Sequence, residues 1–304
     1  MKRTLSLFGV LLFLFTGCQS EIDIDIPDYH DKLVVEGTIE TGKPAMVLLS
    51  KSIPYFSDID FETLLEKFII QDAVITVTSG SGESEVLRFR YTEESPLLFA
   101  YTGQNLIGRP DEEYALSIEL EGKTYTATTY IPHTFELDSI WFQQMGKPED
   151  SIATVRLILS DDPSRTDYYQ FLVKVRGKNL QDRLWAYTML PVFDDATFNG
   201  MTFNYEIFRA TPSTLYAATL SEQERREYYR PYFRPGDTVF VKYSLMDYPS
   251  YRFWSTATTE ISFGQNVFMS PPPIASNIKS SSGEKVLGSW CGYAAKIDML
   301  IYSE

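Results

Sequence analysis

Apolar and polar residues alternate along much of the chain with a period of two, which predicts strands rather than helices. Leu33, Val35, Gly37 and Ile39 share one face of a first strand. Met46–Leu49 is a second apolar run and Ala73–Val77 a third. Thr78-Ser-Gly-Ser-Gly-Glu83 has the composition of a hairpin loop and leads into Val86, Arg88 and Phe89. Tyr114, Leu116, Ile118 and Leu120 alternate up to a turn at Glu121-Gly122, and Tyr125–Tyr130 returns. Short strands at this spacing predict a mainly β fold that begins with an immunoglobulin- or fibronectin-like β-sandwich over residues 32–132. Phe61–Phe68 reads as a helical turn or two lying across it.

Ile131-Pro132-His133 reads as a linker into a second β-rich domain, residues 133–304. Ser139–Gln143, Ala153–Leu159 and Tyr168–Val175 are its first strands, with Asp161-Asp162-Pro163 as a turn. A few short helices interrupt it. One is expected near 221–229, where Ser221 and Glu224 stand at capping-box spacing. The other is expected near 248–262: Asp247-Tyr-Pro249 opens it, and Tyr251, Trp254, Thr258 and Ile261 follow at helical spacing. No repeat of fixed period is present.

The first 31 residues follow a different logic. Lys2 and Arg3 precede an apolar run from Leu5 to Phe15, too short to span a membrane but suited to a secretory signal. Thr16 and Gly17 are small, and Cys18 follows them as in a bacterial lipobox, although Phe15 stands where leucine is usual. Residues 1–17 are therefore expected to be a removable leader, and Cys18 the acylated first residue of the mature chain. Glu21, Asp23 and Asp25 alternate with Ile22, Ile24 and Ile26, making 18–31 an acidic tether.

Charge narrows the partners. The chain carries 41 acidic and 27 basic residues, a formal charge of −14. Losing Lys2 and Arg3 with the leader leaves 25 basic residues and a charge of −16. Such a body repels phosphate backbones, so no nucleic acid is expected as a partner; the membrane is reached through the lipid. A content of 44% hydrophobic and 14% aromatic residues supplies a substantial core. Cys291 is the only cysteine besides Cys18, so no intrachain disulfide is expected.

Candidate chemistry is sparse. His30 and His133 are the two histidines, too few for a zinc site built on His and Cys. His133 with Cys291 is a nominal base–nucleophile pair, but Ser289-Trp-Cys291-Gly does not match a papain-type order. Gly80-Ser81-Gly82 lacks the nucleophile elbow of a serine hydrolase. The acid pairs Asp58/Asp60, Asp161/Asp162 and Asp194/Asp195 are the candidates for glycosidase-type or calcium chemistry, and solvated turns are their simpler explanation. No catalytic residue, cofactor or metal ligand is assigned from these. Arg226, Tyr229, Arg230, Tyr232 and Arg234 interleave cations with aromatic rings and form the candidate contact surface; a helix end feeding a packed loop is the alternative.

Several stretches together resemble a known family. Cys18 followed by Ile-Asp-Ile-Pro27, Lys32-Leu-Val-Val-Glu-Gly37, Pro235-Gly-Asp-Thr-Val239 with Tyr251-x-Phe-Trp254, Pro271-Pro-Pro-Ile-Ala-Ser-Asn-Ile278 and Val286-Leu-Gly-Ser-Trp-Cys-Gly-Tyr293 occur in the order found in Bacteroidota outer-membrane lipoproteins classed as domain of unknown function 4249. The family pattern has glycines where this chain has Lys279-Ser-Ser-Ser-Gly283. The resemblance implies an outer-membrane lipoprotein, often encoded beside a TonB-dependent receptor, and supplies no catalytic residues. The acids after Cys18 resemble the surface-export signal of that phylum, with isoleucines interrupting it. The expectation is a surface-exposed, non-catalytic binding or accessory subunit of a TonB-dependent transporter. A glycan hydrolase using paired carboxylates and a structural adhesin-like module are the alternatives, and a periplasm-facing position is the alternative to the cell surface.

Overall fold

The computed structural model describes residues 31–53, 60–145, 151–177, 184–209, 232–263 and 272–303. The fold is mainly β. The expected helix near 221–229, the leader, Cys18 and the tether up to His30 lie outside the described residues.

Local pattern becomes strand as expected in the first half. Val35, Gly37 and Ile39 point inward from β1 (Leu33–Glu40), which turns into β2 (Pro44–Lys51). β3 (Val74–Ser79), β4 (Ser84–Val86), β5 (Arg88–Tyr91) and β6 (Phe99–Ile107) follow. β7 (Glu112–Leu120) and β8 (Lys123–Ile131) form a hairpin whose turn residues Glu121 and Gly122 both have positive φ, 50° and 75°. That geometry matches the right-handed twist of the two strands. Phe61–Thr63 is a helical turn that widens into a π-turn over Leu64–Phe68. The second half supplies β9 (Ser139–Met145), β10 (Ile152–Ser160), β11 (Tyr168–Val175), β12 (Ala186–Asp194), β13 (Thr202–Ile207), β14 (Thr238–Met246), the short β15 (Lys279–Ser280) and β16 (Leu287–Ile301). Helix α1 (Tyr248–Phe263) separates β14 from β15.

These strands assemble into one long sheet backed by two smaller ones. The long sheet has eight strands in the order β12-β11-β14-β16-β1-β2-β6-β5. A five-stranded sheet, β15-β8-β7-β3-β4, and a three-stranded sheet, β13-β10-β9, complete the set. The boundary expected at 132/133 therefore needs correction. Strands from both sides of it share the long sheet, and one continuous core runs from Val35 and Tyr114 to Phe171 and Tyr205. The chain from Asp31 onward is a single unit with two sandwich-like halves. The cause is a pairing that local pattern does not show: the last strand, β16, runs parallel to the first, β1, with Val35 opposite Gly288 and Gly37 opposite Trp290.

Trp290 is the fully buried centre of this junction. Its indole Nε1 donates to the Tyr114 carbonyl at 2.9 Å, tying the long sheet to the five-stranded one. Asn277 acts as a substitute strand: its Oδ1 accepts from the Trp290 amide (2.9 Å) and its Nδ2 donates to the Trp290 carbonyl (2.7 Å). Gly37 leaves room for the ring, since a Cβ there would lie 2.7 Å from it. Gly288 has φ +87°, and a Cβ would stand 2.0 Å from the Val35 carbonyl oxygen. Two penalties therefore meet at that position, a left-handed backbone and a clash with an adjacent strand. Gly288→Ala is expected to cost more than about 2 kcal/mol of stability, and Asn277→Ala about 1–3 kcal/mol through the unpaired groups it leaves, both read from urea unfolding.

Candidate functional site

Two constellations hold the candidate chemistry, and the first gathers acids that the sequence presents as separate pairs. Asp161 ends β10, Asp167 opens β11 and Asp195 follows β12, so the ends of three strands bring the three carboxylates together. Asp161 is buried, with Oδ1 accepting from the Tyr169 hydroxyl at 2.6 Å and Oδ2 from the Gly200 amide at 2.8 Å. Asp195 is buried as well, and its Oδ2 accepts from the Asp167 amide at 2.8 Å. Their sequence neighbours face outward and brace turns. Asp162 accepts from the Ser164 amide and hydroxyl and pairs with Arg165 at 2.9 Å, while Asp194 takes the Ala196 amide and the Tyr251 hydroxyl. Asp60, of the third pair, caps the helical insert through the Thr63 amide at 2.7 Å, and its partner Asp58 lies outside the described residues.

His133 belongs to this cluster and not to Cys291. Its Nε2 is 3.6 Å from Asp167 Oδ2 and has no hydrogen bond, and the Arg165 Nε is 3.9 Å from the same oxygen. Cys291 sits on β16 under helix α1, 3.1 Å from the Ser289 hydroxyl, and burial pushes its thiol upward in pKa. A buried protonated thiol packs as a small hydrophobe. Among the described residues, no group of three or more His, Cys, Asp or Glu side chains is arranged to hold a metal ion.

Helix α1 forms the second constellation on the outer face of the long sheet. Asp247 caps it: Oδ1 accepts the Ser250 amide at 2.9 Å, while Oδ2 accepts the Tyr130 amide at 2.9 Å and the Thr129 hydroxyl at 3.0 Å. One carboxylate thus starts the helix and pins it to β8. Tyr251, Phe253 and Trp254 cover Val192, Met246, Cys291 and Tyr293, and Trp254 Nε1 donates to the Tyr293 hydroxyl at 2.6 Å. Tyr168 stacks on Tyr251 at 4.8 Å, and Tyr187 meets Trp254 at 5.4 Å. Tyr187 and Tyr248 remain 49% and 54% exposed, which leaves a shelf of open aromatic faces beside a fixed helix. Glu36, also open on this face, has a carboxyl raised by the desolvation that the surrounding protein imposes. Burial raises the Tyr187 phenol too, with Glu36 and then Cys291 adding to it.

Those of the motifs quoted from the sequence that lie within the described residues converge here on β16. Gly37, Asn277 and Trp290 interlock, Trp254 bonds to Tyr293, and Gly236 donates its amide to the Tyr302 carbonyl at 2.8 Å. A family model described as domain of unknown function (DUF4249) matches residues 19–296. The chain belongs to this family. No curated protein matches it. In this DUF4249 chain the quoted motifs that fall within the described residues thus help to close the long sheet.

Of the candidate contact surface, Arg226, Tyr229 and Arg230 lie outside the described residues. Tyr232 packs beside Phe208 at 6.1 Å between ring centres. Phe233 is fully buried and bridges to Ala153. The Arg234 amide donates to Asp237 Oδ2 at 2.9 Å, and Arg209 pairs with the same oxygen at 3.2 Å. The sequence reading missed Tyr187. Pro191 and a register shift opposite Gln170 and Leu172 interrupt the alternation of β12, so only the strand's neighbours reveal its face.

Burial raises the Asp167 carboxyl above its ordinary value; His133 and Arg165 draw it down, and Asp161 and Asp195 push it up again. A carboxyl raised on folding holds its proton more tightly in the native state. Its stabilising contribution is then full below the unfolded value of about 3.9 and is lost as pH rises through the native one. The stability of Asp167→Asn relative to the native protein is therefore expected to increase from about pH 4 to about pH 7. Urea midpoints for both proteins across that range measure it, and a difference independent of pH is the contrary result.

Proposed function

We propose that the chain is an outer-membrane lipoprotein of the Bacteroidota type, attached through an acylated Cys18 and carried to the cell surface. There it serves as a non-catalytic binding or accessory subunit beside a TonB-dependent transporter. The leader carries the reading of location: a basic start, a short apolar run and a cysteine directly after small residues. Acyl chains on Cys18 hold a soluble body on a membrane because each buried methylene contributes about 0.8 kcal/mol. The acidic residues behind Cys18 and the family membership support the same placement.

The binding role rests on how the described acids are used. A retaining or inverting glycosidase needs two carboxyl groups facing one cleft across the scissile bond. Asp161 instead holds the Tyr169 hydroxyl and the Gly200 amide with its two oxygens, and Asp195 holds the Asp167 amide with Oδ2. Exposed aromatic faces on a capped helix are suited to contact with a partner or a saccharide without chemistry.

Cys18→Ser is expected to abolish incorporation of labelled acyl chains and to release the protein from the membrane fraction. Continued labelling overturns the anchor. Affinity isolation from native outer membrane through a tag at Glu304 is expected to recover a TonB-dependent transporter. Repeated isolation of the anchored protein without one overturns the partnership and leaves the anchor standing.

A further inference from the structure

The outer face of the long sheet carries a group of cations that the described acids do not fully neutralise. Lys242 on β14 reaches across β16 to Glu40 on β1, Nζ to Oε1 at 2.5 Å. Lys43 pairs with the other oxygen of Glu40 at 3.1 Å and with Glu94 at 3.4 Å. Lys174 on β11 is different. Its ammonium lies 4.8 Å from the centre of the Trp185 ring and 5.7 Å from that of Phe240, and among the described residues no carboxylate pairs with it. Lys242 also approaches Trp185, at 5.2 Å, and the Arg176 guanidinium lies 5.4 Å from Phe240. Burial lowers the pKa of the Lys174 ammonium; Lys43 and Lys242 lower it further, and Glu94 opposes them.

A shortage of acids does not explain this, since the chain has 41 of them against 27 basic residues. Ring faces stabilise a partly desolvated ammonium less than a well-placed carboxylate does. The cations thus make a positive spot on an acidic body, and such a spot attracts anions by contrast with its surroundings. Its floor is rigid, because Glu40 and Lys242 are both nearly buried and their pair fixes β1 to β14. Next to it the same face offers apolar surface. Ile297 stands opposite Lys242 and Met299 opposite Phe240, 46% and 54% exposed.

We propose that Lys174, with Lys43 and the ring of Trp185, binds the oxyanion of a ring-bearing organic ligand, a carboxylate or a phosphate on a saccharide. The anion takes the place of the carboxylate that Lys174 lacks. The ligand ring lies against Trp185 and the apolar strip. The site rests on the lysines and the indole alone, independent of any transporter or of the anchor.

The mature chain, purified with its acyl group in detergent, is titrated with glucuronate, glucose 6-phosphate, glucose and inorganic phosphate while tryptophan fluorescence is followed; Trp185→Phe assigns the signal. At least one of the two charged sugars is expected to give a saturable change that glucose does not, and the arm that saturates identifies the oxyanion. Lys174→Met is expected to weaken it about tenfold or more, Lys174→Arg to stay within about threefold, and Lys279→Met, at a distant exposed lysine, to match the native protein. Thermal unfolding of Lys174→Met checks that the fold survives; where it does not, Lys174→Gln replaces it. No saturation by either sugar, or native affinity in the folded Lys174 variants, overturns the site. Inorganic phosphate binding as tightly as the sugars overturns the role of the ring. Failure here leaves the transporter isolation untouched, and failure of that isolation leaves this titration untouched.

Discussion

The seat of Trp290 is the interaction on which the other contacts depend. Its indole bonds to the five-stranded sheet, its backbone is held by one asparagine side chain, and its ring lies on a glycine of the first strand. The contacts with Tyr114 and Gly37 join segments far apart in sequence, so the chain gains neither until its last strand is in place. Parallel pairing of first and last strands carries a large loop-closure cost, and buried packing around the tryptophan offsets it. The position of Gly288 follows from the same demand, since the β16 backbone enters this pairing through a left-handed residue pressed against Val35.

Once β16 lies between β1 and β14, the remaining architecture is constrained. The second sheet backing β1 and β2 and the third backing β11 and β12 each cover one stretch of the same long sheet, and their cores merge behind β16. Helix α1 packs on the opposite face. Asp247 sets where that helix begins and which strand it touches, so the aromatic shelf of Tyr187, Tyr248 and Trp254 is placed by a cap and one tryptophan–tyrosine bond. Both candidate binding areas lie on this face: the shelf beside the helix and the cations where β11, β14 and β1 come within side-chain reach.

Local features were legible in the sequence where the physics is local. The β7–β8 hairpin shows in its alternation and its turn, β11 in its apolar run, and helix α1 in its capping aspartate and spaced aromatics. The parallel pairing of β1 with β16 has no local signature, and so two domains were expected where one sheet spans both. The acid pairs illustrate the same limit at the level of the site. Asp161-Asp162 and Asp194-Asp195 look like solvated turns, yet in each pair one residue faces the interior and the other the surface. Adjacent side chains at a strand end point to opposite sides, and composition does not say which side is inside. Lys174 meets Trp185 because β11 pairs with β12 on one edge, and Phe240 because it pairs with β14 on the other.

The distribution of charge connects the two sites. Glu40 has one oxygen on Lys242 and the other on Lys43, and although burial raises its carboxyl, the two ammonium groups hold it below its ordinary value. An acid committed in this way has no remaining oxygen for Lys174. Glu94, the next acid along this face, is exposed and engaged with Lys43, so its attraction for Lys174 is weakened by solvent. In the acidic cluster the reverse holds, with three carboxylates facing one half-buried histidine and one arginine. The fold thus segregates charge, placing surplus acid at the loop ends of β10, β11 and β12 and surplus base on the sheet face. Segregation costs electrostatic energy that mixing the signs would avoid. On the acidic side hydrogen bonds to loop amides offset that cost, which gives those acids a structural task. On the basic side the rings of Trp185 and Phe240 offset it only in part, and that asymmetry is what distinguishes the sheet face as the place where an external anion lowers the free energy of the fold.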